Sequence, residues 1–144
     1  MIPSLRDLYN KQILELNARP LNFGPLADPS CEATSHNPLC GDQVTLRLRV
    51  HGDVITDARF EGQGCAVSRA SASLLTAALC GKTKVEALGL AGALDRFLSP
   101  ASDSAEADRA LLGEIACLEG LREVPARRRC ATLPWEALRA CLKG

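Results

Sequence analysis

Residues 44–80 read VTLRLRVHGDVITDARFEGQGCAVSRASASLLTAALC, and the apolar period changes once along them. Val44, Leu46, Leu48 and Val50 alternate with Thr45, Arg47 and Arg49, the period of a strand with one dry and one wet face. His51-Gly52-Asp53 supplies a turn and Val54 to Phe60 resumes the alternation, so the stretch predicts a β-hairpin. Gly62 and Gly64 then permit a sharp approach to Cys65. Beyond it Val67, Ala70, Leu74, Ala77 and Ala78 fall at helical spacing until Gly81 closes the helix.

On the N-terminal side, Ser4 and Asp7 cap a predicted helix carrying Leu5, Leu8, Tyr9, Ile13 and Leu16, stopped by Arg19-Pro20. Residues 18–42, rich in Pro, Asn, Gly and Ser, read as a long loop. On the C-terminal side, Thr83 and Glu86 form a capping box for a helix that turns Leu88, Ala91, Leu94 and Leu98 inward before Pro100. Ser102 to Ala107 reads as a polar linker and Leu111 to Leu121 as a short helical pattern. The last helix is predicted to begin near Thr132, with Pro134 in its first turn and Trp135, Leu138 and Cys141 along it. A hairpin followed by helices argues for an α+β fold. No repeat or internal boundary divides the chain, so residues 1–144 are expected to form a single domain.

The composition narrows the function. The 144 residues are 47% hydrophobic, enough for one core, but that core must be built from Leu, Val and Ala, because the aromatics are only Tyr9, Phe23, Phe60, Phe97 and Trp135. Base-stacking platforms are not expected. Seventeen basic and seventeen acidic residues cancel, so no global field draws the chain to nucleic acid or an anionic membrane. The charge is segregated locally, with an acidic stretch over 101–120 and a basic one over 121–144 beside Cys130. Met1 to Asn10 carries Arg6 and Asp7 in a helical pattern, so no secretory leader is expected, and no apolar run approaches the ~20 residues of a membrane span. A reducing cytoplasm is the expected setting. There, seven dispersed cysteines suggest metal or sulfur chemistry rather than a disulfide framework.

Three of those cysteines sit at turns or expected helix entrances: Cys40 in Pro38-Leu39-Cys40-Gly41-Asp42, Cys65 after Gly62-Gln63-Gly64, and Cys130 after Pro125-Ala126-Arg127-Arg128-Arg129. The positive end of a helix and a neighbouring arginine run both favour thiolate. Three thiolates and Asp42 would make a four-coordinate metal site. Spacing alone leaves open the alternative of buried apolar cysteines and a turn aspartate, since there is no C-x-x-C motif. Cys80, Cys117 and Cys141 are expected to pack in the core. Cys31 and His36 lie in the predicted loop, from which a donor could reach the site, although a solvated loop is the better account of them. Neither H-E-x-x-H nor H-x-E with P-C-x-x-C is present, which removes the common zinc hydrolase and deaminase patterns.

Asn37-Pro38-Leu39-Cys40-Gly41-Asp42, Asp57 to Cys65, Ala70-Ser71-Ala72-Ser73 and Pro125 to Leu133 together resemble the NifU amino-terminal, or IscU-like, superfamily, and within it the SufU branch. The resemblance runs from about Leu8 to Leu138. Two features point to that branch: the long stretch between Cys65 and Cys130, and Arg129 where IscU proteins place a histidine. The chain departs from the family in Glu15-Leu16, where an Asp-His pair is frequent, and in Pro134.

The resemblance implies a three-stranded antiparallel sheet packed against a layer of helices. It implies zinc held by Cys40, Asp42, Cys65 and Cys130, and a role in iron–sulfur cluster assembly as acceptor of persulfide sulfur from a SufS-type cysteine desulfurase. As an enzyme the chain would be at most a sulfurtransferase. Cys40 is the implied acceptor, released when a desulfurase histidine takes over a zinc position, and Arg127 is the implied orienting residue. Downstream cluster-assembly proteins are the further implied partners. The alternative is a scaffold that binds a nascent [2Fe–2S] cluster, or iron, on the same cysteines.

Overall fold

The computed structural model describes residues 10–38, 41–99 and 105–143. Its sheet has three antiparallel strands in the order β1 (Cys31–Asn37), β2 (Asp42–His51) and β3 (Val54–Gln63). The hairpin of β2 and β3 is the predicted one. Gly52 opens its two-residue turn at φ +64°, the left-handed value that a tight hairpin asks of glycine. Val44, Leu46 and Leu48 are buried on one face, while Arg47 on the other lies between Glu32 of β1 and Glu61 of β3.

The alternation predicted for Val54 to Phe60 breaks at its start. The register shifts so that Arg49 faces Asp57 but Val50 faces Ile55, leaving Thr56 as an extra residue. Such a bulge turns the side chains before it to the opposite face. Ile55 is therefore fully buried, with Ala58 and Phe60, and Val54 is exposed.

The predicted loop over 18–42 is overturned in its second half, where Cys31–Asn37 forms β1. An edge strand pairs on one side only, and Glu32, Thr34 and His36 face solvent, so β1 needs no run of large apolar residues. The first half of the segment remains irregular and is tied down at Phe23. The Phe23 ring meets Phe60 edge-on, and the Gly24 N–H donates to the Phe60 carbonyl at 2.9 Å.

Helix α1 (Lys11–Ala18) is shorter than predicted. Asn10 has extended backbone and its side chain accepts from the Ile13 N–H, so a helix begins there; Ser4 and its predicted cap lie outside the described residues. Helix α2 (Ala66–Leu79) is buried along most of its length. Helix α3 (Lys84–Leu98) carries the expected reciprocal capping of Thr83 and Glu86. It buries Ala87, Leu90, Ala91, Leu94 and Leu98, but Leu88 lies on its exposed side, contrary to expectation. Helix α4 (Ala105–Leu112) takes in Ala105 to Ala107 of the predicted linker, and a 3-10 segment, Gly113–Glu123, replaces the short helix predicted from Leu111.

The largest correction concerns the last helix. Helix α5 spans Pro125–Leu142, so Pro125 holds the first position and Pro134 lies in the interior. Proline at 134 withholds the N–H that would reach the carbonyl four residues back, that of Cys130. Packing holds the helix through this point. Pro134 and Trp135 are buried, and the hydroxyls of Ser35 and Ser71 donate to the Leu133 and Ala131 carbonyls at 2.6 and 2.5 Å.

Ala70-Ser71-Ala72-Ser73 now has a physical reason. These four residues are buried and small, and they let neighbouring backbone come close on different sides of α2: Ser71 meets α5, while Ser73 accepts from the Leu21 N–H. Ser71 sits at the crossing, donating to Ala131 and accepting from Trp135 Nε1 at 3.1 Å. Trp135, the one tryptophan, is fully buried. Replacing Ser71 with Ala is expected to destabilise the protein by ~1–3 kcal/mol, because it strands the buried indole N–H. Urea unfolding followed by Trp135 fluorescence should show a lower midpoint with an unchanged slope.

Candidate metal centre

Three elements bring their functional side chains to one point. Asp42 is the first residue of β2, Cys65 is the N-cap of α2, and Cys130 lies in the second turn of α5. One carboxylate oxygen of Asp42 and the two sulfurs all lie within 4.8 Å of one another. Asp42 is 3% exposed and Cys130 2%, while Cys65 is half-buried and forms the open side.

Glycines allow the convergence. Gly62 has φ +145°, and a Cβ there would fall 2.1 Å from the Gln43 carbonyl oxygen. A Cβ on Gly64 would lie 2.9 Å from Asp42 Oδ1 and 2.5 Å from Ser68 Oγ. The Cys65 N–H donates to Asp42 Oδ1 at 3.0 Å, and the Cys65 sulfur stands 3.4 Å from Oδ2. Asp42 thus offers one oxygen to the Cys65 backbone and the other to the cavity. Asn37, also buried, faces Asp42 across the β1–β2 pair.

The two thiols differ sharply. A hydrogen bond from Cys130 brings Cys65 down to about 6 against the opposing effect of burial, and the Ser68 backbone N–H lowers it further. Cys130 is pushed far up, first by that bond to Cys65 and then by burial. One proton shared between two sulfurs explains both directions. Cys65 also sits at the positive end of α2, which favours thiolate. The same helix-terminus argument, expected for Cys130 as well, does not apply there: Cys130 lies within α5, and its sulfur is 3.5 Å from the Ala126 carbonyl.

Cys40 lies outside the described residues. Its flanks are held beside the centre, since the Gly41 N–H donates to the Asn37 carbonyl at 2.9 Å and Asp42 follows directly. Arg127, three residues before Cys130, shares its side of α5 and is half-buried. Arg129 is exposed. With Arg128 it lines a shallow cleft of about 340 Å³ against α3 that contains none of the three candidate ligands.

The loop residues do not join the site. His36 is on the outward face of β1, and Cys31 is at the far end of that strand from Asp42. Cys141 is buried as expected and Cys117 half-buried, but Cys80 is exposed at the end of α2 rather than packed in the core. Ser68 and Asn37 were missed as functional candidates. Ser68 lies one residue short of a helical turn from Cys65, which was a readable signal, whereas the pairing of Asn37 with Asp42 depended on recognising β1.

Comparison with known proteins finds that the NifU-like N terminal domain family matches residues 8–143. The zinc-dependent sulfurtransferase SufU of Bacillus subtilis is 40% identical over 136 residues, covering 94% of this chain and 89% of the relative. The iron–sulfur cluster assembly scaffold protein IscU of Streptococcus pyogenes is 36% identical over 99% of this chain and 87% of its own length. A crystal structure described as a putative iron–sulfur cluster assembly scaffold protein for the SUF system, from Fervidobacterium islandicum, superposes with a TM-score of 0.85 at 31% identity. It covers 96% of this chain and 99% of that one.

Gly64→Ala tests the cradle. Forcing the Asp42 carboxylate and Ser68 aside is expected to weaken zinc binding by ~10-fold or more, with the circular dichroism spectrum unchanged. Competition titration against a chromogenic chelator measures it.

Proposed function

Because the chain belongs to the NifU-like N-terminal domain family, we propose that it is a zinc-dependent sulfur acceptor in iron–sulfur cluster assembly, taking persulfide sulfur from a cysteine desulfurase in a reducing cytoplasm. The observation that carries this reading is the buried meeting of Asp42, Cys65 and Cys130 within 4.8 Å. Two soft sulfurs and one oxygen suit zinc, and the glycine contacts that leave room for the carboxylate fit that use. Cys40, two residues before Asp42, would supply the fourth donor. Zinc bound there would keep the cysteine sulfurs deprotonated and guarded.

The acceptor step belongs to Cys40. Its thiolate attacks the outer sulfur of the desulfurase persulfide, a new S–S bond forms on Cys40, the old S–S bond breaks, and the desulfurase cysteine leaves as thiolate. Asp42 and the two remaining cysteines hold the centre while Cys40 reacts. Arg127, on the side of α5 that carries Cys130, would orient the anionic persulfide.

The scaffold reading uses the same donors, and relatives named as scaffolds keep it in view. The outward His36 and exposed Arg129 favour the acceptor, because neither presents a ligand where an IscU histidine would stand. Anaerobic reconstitution with iron and sulfide separates the two: a stable visible chromophore on the purified chain would establish the scaffold.

Cys40→Ala is expected to abolish sulfur acceptance in an assay with cysteine and a purified desulfurase, read as sulfide released after reduction. Undiminished transfer would remove the proposed role of Cys40. Arg127→Ala should lower the rate ~10-fold, as loss of one charge-assisted contact predicts, while zinc measured by elemental analysis stays at the wild-type level. Joint loss of zinc would make Arg127 a structural residue instead.

A further inference from the structure

Four cysteines, Cys31, Cys80, Cys117 and Cys141, stand outside the proposed zinc site. Two of them meet. Cys31 opens β1 opposite Leu48, on the inner side of the sheet, and is half-buried. Cys141, in the last turn of α5, is 8% exposed, and its sulfur lies 3.9 Å from the Leu46 carbonyl. Leu46 and Leu48 point to the same face of β2, so both thiols occupy one corner between sheet and helix.

Helix α5 runs antiparallel to β1 across this face. Its end carries Cys141 against Cys31, its middle takes the Ser35 hydroxyl on Leu133, and its start brings Cys130 to Asp42, the residue that pairs with Asn37 at the far end of β1. The corner is therefore remote from the metal centre. Six strand residues separate Cys31 from Asn37, ~20 Å, and eleven helical residues separate Cys130 from Cys141, ~16 Å. Burial, and after it the neighbouring Cys31 thiol, raises Cys141.

We propose that Cys31 and Cys141 form a dithiol–disulfide couple, a site of reversible oxidation by small-molecule disulfides that is separate from the metal centre. Access sets the order of events. The half-buried Cys31 attacks as thiolate on one sulfur of the small disulfide, whose S–S bond breaks and releases one small thiolate, leaving a mixed disulfide on Cys31. Cys141 loses its proton to solvent and attacks the Cys31 sulfur. The mixed S–S bond breaks, the second small thiolate leaves, and the Cys31–Cys141 bond closes. Two protein thiols have been oxidised and one small disulfide reduced to two thiols.

The product would clamp the outer strand to the end of α5 by closing a loop of most of the chain, the kind of crosslink that constrains the unfolded state strongly.

The test uses the purified full-length protein, incubated anaerobically with excess oxidised glutathione, digested without reduction and mapped by mass spectrometry, with metal counted before and after. The expected result is a peptide crosslinked through Cys31 and Cys141, reversed by dithiothreitol, with metal content unchanged. In Cys31→Ser the crosslink is lost and Cys141 stays unmodified. A glutathione adduct that persists on Cys31 with Cys141 free overturns the proposal. So does failure of both residues to react, or crosslinking through Cys65 or Cys130 with loss of metal.

Discussion

The close crossing of α2 and α5 is the constraint on which the rest of the molecule depends. Two helices approach closely only where their facing residues are small, and here the buried Ser71 of α2 meets Ala131 of α5. Serine does more than save volume. The Ser71 hydroxyl bonds both the Ala131 carbonyl and the Trp135 indole, so the depth and register of α5 are set by directional contacts as well as by shape. Cys130, one residue before Ala131, is thereby carried to Cys65 at the head of α2. The candidate metal centre is a consequence of this crossing, because no local sequence spacing joins two residues 65 positions apart.

The same dependence explains which features the sequence made legible. Residues whose conformation follows from near neighbours could be read directly: the Gly52 turn, the capping of Thr83 by Glu86, the helix after Cys65. Strand β1 could not be, since Cys-Glu-Ala-Thr-Ser-His-Asn has little β-forming character, and its structure comes from pairing with β2. The start of α5 was misread because two prolines compete for the first helical position, and only burial of Pro134 against its neighbours decides for Pro125. Asp42, Cys65 and Cys130, which the structure brings together, were each legible as candidates through the family motifs. Their arrangement was not: Cys130 reaches the centre from inside a helix, which reverses the charge argument made for it.

That reversal shapes the chemistry of the centre. The Cys130 thiol first, and then the Ser68 N–H, bring Cys65 down to about 6 against burial and the nearby Asp42 carboxylate. Cys130 has a helix carbonyl beside it and little solvent, so it keeps the shared proton. A second uncompensated thiolate buried beside Asp42 is costly, so loss of that last proton would be favoured by a bound cation. In the proposed zinc site Cys65 would be the preformed anionic ligand and Cys130 the one whose ionisation is coupled to binding.

The carboxylate makes the proposed centre suited to exchange as well as to storage. Four thiolates around zinc give a closed structural site, whereas an oxygen ligand is harder and less well matched to the metal. Asp42 is held by its other oxygen on the Cys65 N–H, so it would stay in position if a neighbouring ligand departed. Cys65 and Cys130 are anchored on two packed helices. Cys40, two residues before Asp42, is the proposed fourth donor, and its described neighbours are joined by the Gly41 N–H on the Asn37 carbonyl. With Asp42, Cys65 and Cys130 each tied to a strand or a helix, the proposed sulfur-accepting step falls to Cys40, the donor that the resemblance implies.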